Sequence, residues 1–326
     1  MNISMIIFGA SVAALLFVSV LIVLSPLPTV KIMRKFFEKP DISRPEKYEK
    51  IKESTRIYKD LTYPSKYSDN TLDIYVPEKH LDKFPVILWI HGGAYVGGDK
   101  GDVRYYARKL AAEGYAVVSM NYERAPEARF PAPLTQMGEV YLWLLSVSRH
   151  YFLDMSAIIL AGDSAGAHTS ALFTLIQTDD EYSKKIGLNA QIPKEHIKGL
   201  MLFCGPYDNR KTAALKGIMG FLIRRAGWAY FGTRNWAVVF DDLTTVRYHI
   251  KKSMPPVFIT DADTLSFKSQ AKDLISVLKA ADVHVRSFFI DDENQQTKHE
   301  YQFKMDTQPA KKCFELMLLF LDELFI

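Results

Sequence analysis

A serine set between two glycines, Gly162-Asp163-Ser164-Ala165-Gly166, directly follows the apolar run Ile158 to Ala161 and directly precedes a helical run starting near Ala165. Strand, sharp turn and helix in that order constrain the fold more than any other feature of the chain. The small residues permit a strained turn that lifts the Ser164 hydroxyl clear of the strand edge. They also set Ser164 at a helix N-terminus, where developing negative charge is favoured. A serine that merely capped a helix would leave both glycines unexplained.

The same alternation recurs through the chain. Strands are predicted at Arg56 to Leu61, Leu72 to Val76, Val86 to Ile90, Ala116 to Asn121, Ile158 to Ala161, Leu200 to Cys204, Val257 to Thr260 and Val285 to Ile290. Helical patterns fall between or after them at Asp102 to Glu113, Leu134 to Ser148, Ala165 to Gln177, Ser266 to Ala281 and Ala310 to Leu324. Ile87-Leu88-Trp89-Ile90 and Ile158-Ile159-Leu160 are continuously apolar, as strands covered on both faces must be. The pattern predicts a mainly parallel eight-stranded α/β sheet with helices on both faces. Residues 206–252 are far too long for an ordinary connection, and Trp228, Tyr230, Phe231 and Trp236 are too apolar for a solvated loop. They predict a helical cap, with residues 31–55 contributing to it.

Charge is distributed unevenly. The chain has 41 Lys and Arg against 37 Asp and Glu, a net +4, and its first 60 residues hold 10 basic and 6 acidic side chains. The remainder is therefore balanced, with no basic field to attract a nucleic-acid backbone. From Ile3 to Leu24 there is no charge at all, a length that matches the roughly 30 Å hydrocarbon core of a bilayer. This predicts a transmembrane helix and divides the chain into an anchor (1–30) and a globular domain (31–326). A cleaved signal peptide fits poorly, because no basic segment precedes the run and no small-x-small site follows it. Lys31, Arg34, Lys35, Lys39 and Arg44 all come after it, so the positive-inside rule places the globular domain in the cytoplasm. Cys204 and Cys313 make neither a disulfide framework nor a metal-ligand cluster. No phosphate loop or dinucleotide fingerprint is present, so neither cofactor nor metal is expected.

His91-Gly92-Gly93-Ala94 immediately follows the Val86 to Ile90 strand, the position for a loop whose amides face a reacting carbonyl. The amides of Gly93, Ala94 and Ala165 would give an oxyanion three donors, each worth about 3 kcal/mol of transition-state stabilisation. His91 is read as orienting that loop rather than as a base, with Gly92, Gly162, Asp163 and Gly166 as supporting motif residues. Asp163, Arg124 and Glu127 are expected to hold the loops by hydrogen bonds and ion pairs.

HGGAYVGGDK (91–100), NYERAPEARFPAPL (121–134) and GDSAG (162–166), followed in order by MPPVFITDADTL (254–265) and HEYQF (299–303), carry a family resemblance. From about Tyr58 onward the chain resembles the hormone-sensitive-lipase-like esterases of the α/β-hydrolase fold. The resemblance implies a serine carboxylesterase acting on short- to medium-chain acyl esters, with the chain order Ser, acid, His. Of eight histidines only His299 lies between the last strand and the last helix, which makes it the expected base. Alignment with the family places Asp263 at the acid position and Asp261 where a second acidic residue often stands; Asp263 is the expected acid and Asp261 the alternative. One departure stands out. The family's third glycine is Ala94 here, which keeps the N–H donor but is strained if its φ is left-handed. An amidase or deacetylase with the same triad, and a catalytically silent ligand-binding protein, are the competing readings. The apolar cap favours esters over amides, and the filled triad positions argue against a silent protein.

Overall fold

The computed structural model describes residues 3–78, 83–290 and 296–326, with only part of the side chains of the first helix. Its eight strands are β1 (Thr55–Thr62), β2 (Thr71–Pro77), β3 (Phe84–Ile90), β4 (Ala116–Met120), β5 (Leu153–Asp163), β6 (Ile197–Phe203), β7 (Val257–Thr260) and β8 (Val285–Phe288). They form one sheet in the order β1-β2-β4-β3-β5-β6-β7-β8. β2 runs antiparallel to both of its neighbours, and every pairing from β4 across to β8 is parallel. All eight expected strands are present. Their ends shift by a few residues, most at β5, which begins at Leu153 rather than Ile158.

Among the described residues, eight helices have nine residues or more: α1 (Ile3–Leu24), α2 (Leu27–Phe37), α3 (Arg104–Ala112), α4 (Ala132–Val147), α5 (Ala165–Thr178), α6 (Gly217–Phe231), α7 (Lys268–Ala280) and α8 (Gln308–Glu323). The continuous apolar run of β3 explains the layering. Val86, Leu88 and Ile90 enter one core with α4, α5 and α7, whereas Ile87 and Trp89 enter the other with α3 and α8. Successive side chains of a strand point to opposite faces, so a strand buried on both sides must be apolar throughout.

A third apolar cluster lies apart from the two sheet faces. Val30 and Met33 of α2 meet Ala226, Ala229, Tyr230 and Phe231 of α6, with Trp236 packed alongside. The inserted stretch 206–252 is thus helical, as its aromatic content requires, and α2 packs onto it. The helix Leu27–Phe37 runs straight through the boundary placed at residue 30. Arg34 of α2 ties this layer down: it donates to the Val96 and Ala125 carbonyls at 2.7 and 2.9 Å and pairs with Glu127. Arg124 pairs with Asp69 at 3.2 Å. Glu127 and Arg124 therefore serve the loop-holding role expected of them.

Ile3–Leu24 is a single helix of 22 residues. Among the described residues no helix is long and apolar enough to cross a membrane, so the span expected over 3–24 does not gain support from the described part of the structure.

Candidate active site

Sheet register assembles the site. Ile90 at the end of β3 lies beside Gly162 near the end of β5, so the loops leaving these parallel strands emerge side by side. The C-terminal edge of such a sheet is where ligands bind in open α/β folds. At the turn after β5, Ser164 adopts φ 50° and ψ −119°, a conformation costing about 1–3 kcal/mol for a residue with a Cβ. Its neighbours have no room for one. A Cβ on Gly162 would lie 2.4 Å from the Gly166 carbonyl carbon, and a Cβ on Gly166 would lie 2.0 Å from the Ile90 oxygen. The two glycines let α5 start against β3 and hold the nucleophile up out of the sheet.

Asp163 turns inward from the same turn. It accepts from Trp89 Nε1 at 2.7 Å and from the Gly92 amide at 2.8 Å, binding the elbow to the loop after β3. In that loop His91 is buried and stacked on Tyr122, and burial lowers its pKa to about 4. It is therefore neutral, and its Nδ1 donates to the Gly92 carbonyl at 2.7 Å. Gly93, Ala94 and Ala165 all line the cavity above Ser164. Among the described residues none of their three amides donates to a protein acceptor. Ala94 takes φ 52° and Tyr95 φ 63°, the strained alternative for this loop, at about 1–2 kcal/mol for each.

His299 reaches the nucleophile: its Nε2 lies 2.9 Å from Ser164 Oγ. Burial lowers the imidazole pKa to about 4, so the ring is neutral at pH 7. Because Nε2 faces a hydroxyl donor, the hydrogen-bond network assigns the ring proton to Nδ1. That Nδ1 is buried and has no protein partner among the described residues.

The expected acid does not supply one. Asp263 accepts from the Thr297 amide and hydroxyl at 2.9 and 2.8 Å and pairs with Lys268 at 2.8 Å. Burial works against its charge, but Lys268 and Thr297 outweigh it and hold the carboxyl below its ordinary value. Asp261, two residues earlier, is 1% exposed, and its buried Oδ2 has no hydrogen-bond partner among the described residues. Donor atoms of Cys204, Asp261 and His299 lie within 4.8 Å of one another. Among the described residues these are the three side chains that could converge on a metal, and the Nε2 of this imidazole is bonded to Ser164. Among the described residues His299 Nδ1 and Asp261 Oδ2 are both buried without a hydrogen-bond partner, and a ring nitrogen of the one lies within 4.8 Å of a carboxylate oxygen of the other. Asp261 Oδ1 meanwhile accepts from the Ala262 amide at 2.8 Å, which fixes the carboxyl plane. Burial pushes its pKa up to about 7.

One functional neighbour escaped the sequence reading. Glu300, at φ 59°, follows the base, and its carboxyl group is hydrogen-bonded to that of Asp163. Burial, with the Asp163 charge second, pushes Glu300 well above the usual carboxylate range, and burial pushes Asp163 up to about 6. Two carboxyls in contact must share a proton. Through it the base loop, the elbow and the Gly92 loop are joined. Only a motif with an acid directly after the base could have signalled this.

The remaining histidines play other parts. His168 is buried in α5, bonded to the Tyr95 hydroxyl and the Thr244 carbonyl, and His80 lies outside the described residues. Above Ser164 opens a cavity of about 550 Å³, walled by Met33, Phe36 and Phe37 of α2 and Met219, Leu222 and Ile223 of α6.

The BD-FAE family model matches residues 72–278, well over half of the chain. Esterase LipC of Mycobacterium tuberculosis is 30% identical over 144 residues, covering 43% of this chain and 35% of its own. The probable carboxylic ester hydrolase LipM of the same organism is 27% identical over 236 residues, covering 69% of this chain and 53% of its own. The chain thus spans about a third to a half of the length of these relatives. Among solved structures, esterase B from Lactobacillus Rhamnosis superposes with a TM-score of 0.73 at 23% identity, covering 87% of this chain and 88% of that one, a likeness of fold.

Proposed function

The chain belongs to the BD-FAE family, a family of α/β-hydrolase esterases, and on that premise we propose that it is a serine carboxylesterase for short- to medium-chain acyl esters. The observation that carries this reading is the 2.9 Å contact between Ser164 Oγ and a neutral His299 beneath an apolar cavity. His299 Nε2 takes the Ser164 proton as Oγ attacks the ester carbonyl carbon. The carbonyl oxygen becomes an oxyanion held by the amides of Gly93, Ala94 and Ala165, which have no protein acceptor among the described residues. The imidazolium then protonates the departing alcohol, leaving an acyl group on Ser164. Water, deprotonated by the same imidazole, attacks the acyl carbon, and Ser164 leaves with the proton.

The imidazolium formed in each half-reaction needs a carboxylate at Nδ1. Asp261 is the group whose free, buried oxygen supports that assignment, in place of Asp263. The decisive assay is hydrolysis of p-nitrophenyl butyrate by wild type and Ser164→Ala. We expect a loss of at least about 10³-fold in kcat, in line with triad knockouts; an unchanged rate removes Ser164 from the chemistry.

The anchor belongs to the same proposal. What supports it is the sequence: the run from Ile3 to Leu24 carries no charge over 22 residues, the pattern of a bilayer span. The basic residues that follow it support a globular domain on the cytoplasmic side. Protease protection in sealed vesicles tests the topology: digestion of the globular domain from the cytoplasmic face supports it, and protection contradicts it.

A further inference from the structure

The cavity wall and the end of the N-terminal helix belong to one continuous surface. Arg225 of α6 donates to the carbonyls of Ile22 and Ser25, and Arg234 donates to that of Val23. The last turn of α1, whose terminal carbonyls lack helical partners, is thus held by two cations from the inserted segment. Both guanidinium groups also lie over the Trp228 ring, at 4.7 and 4.4 Å. Tryptophan and arginine together at the end of an uncharged helix are the combination found at a bilayer interface.

α2 leaves this point with two distinct faces. Thr29, Val30 and Met33 are buried against the protein, while Lys31, Ile32, Lys35 and Phe36 point away, with Phe36 73% exposed. Cations interleaved with large apolar side chains on an exposed helix face suit an anionic lipid surface. Beside it, α6 exposes Ile218 (74%) and Phe221. Phe36 is both an exposed residue of this surface and a wall of the cavity leading to Ser164.

We propose that the exposed faces of α2 and α6 rest on the bilayer leaflet next to the end of α1, so that the cavity mouth opens onto lipid and admits acyl esters dissolved in the membrane. The occupant is the anionic leaflet itself, argued from the lysines of α2 and from continuity with the uncharged helix that ends there. An apolar ester then passes from leaflet to cavity without crossing water. The inference rests on the esterase and anchor readings above and goes beyond them in naming where the substrate comes from.

The test uses the full chain in vesicles of phosphatidylcholine with phosphatidylglycerol, and two substrates: soluble p-nitrophenyl butyrate and a medium-chain didecanoylglycerol incorporated in the bilayer. Ile32→Ser with Ile218→Ser alters exposed side chains that do not line the cavity. It is expected to lower turnover of the bilayer ester tenfold or more and to change turnover of the soluble ester less than twofold. Lys31→Glu with Lys35→Glu is expected to lower bilayer-ester turnover on phosphatidylglycerol vesicles and not on pure phosphatidylcholine. Equal effects on the two substrates, or none on either, overturn the inference. Wild type that hydrolyses only the soluble ester overturns it while leaving the esterase standing, and wild type that hydrolyses neither overturns both.

Discussion

The sheet edge and the helical layer above it are built on opposite principles. At the edge, position is enforced by short-range constraint: a serine in a strained turn, two glycines with no room for a Cβ, and buried carboxyls each bonded to a neighbouring loop. In the layer formed by α2 and α6 the contacts are apolar packing, and large hydrophobic side chains remain exposed. Register and backbone strain tolerate little change, whereas apolar surfaces tolerate substitution of similar volume. On the proposed reading, the reaction is set at the edge and the choice of ester in the layer.

The comparison breaks most sharply at the acid. If rigid placement at the edge decides the chemistry, Asp261→Asn should lower kcat by about 10⁴-fold, the effect of a wrong imidazole tautomer in a triad. Asp263→Asn, whose carboxyl serves Lys268 and Thr297, should cost less than about tenfold. Steady-state kinetics on p-nitrophenyl butyrate decides between them, and a larger loss from Asp263→Asn restores the family alignment.

A second, smaller effect concerns pH. Glu300 and Asp163 titrate above ordinary carboxylates, so in the folded protein they keep a proton that the unfolded chain gives up near pH 4. Their contribution to stability is complete below that pH and is lost as pH rises, through about 6 for Asp163 and onward for Glu300. The limiting slope is about 1.4 kcal/mol per pH unit for each proton, and less here because Glu300 is partly open to cavity water. Thermal unfolding of Glu300→Gln between pH 5 and 7.5 should show a flatter profile than wild type. An unchanged profile separates the pair from the stability of the edge.

The smallest effect is at Ala94. Replacement by glycine removes about 1–2 kcal/mol of left-handed strain but adds about 0.5–1 kcal/mol of chain entropy to be lost on folding. Ala94→Gly should thus raise Tm slightly, by up to roughly 2 °C, with activity retained. A fall in Tm means that the alanine methyl packs usefully in the loop.

Much of this architecture was legible in the sequence because burial on two faces leaves a plain trace. All eight strands, the inserted helices at 206–252, the elbow and the late histidine follow from apolar runs, glycine spacing and chain order. The resemblance to hormone-sensitive-lipase-like esterases holds at the level of an α/β-hydrolase esterase family. What stayed hidden depends on distant partners. Asp261 and Asp263 stand two residues apart on one loop, and what tells them apart is that Thr297 and Lys268 hold the carboxyl of Asp263. The sign of φ at Ala94 is set by the path of the loop to Gly97, not by the alanine. Glu300 became significant only when folding set its carboxyl against Asp163.

The central claim is that Ser164 is a nucleophile activated by His299. Treating the folded protein with a fluorophosphonate and mapping the product by mass spectrometry tests it directly. The account predicts one phosphonyl adduct, on Ser164, strongly slowed in His299→Ala and absent in Ser164→Ala. Folded wild type that stays unlabelled, or is labelled at another residue, contradicts it.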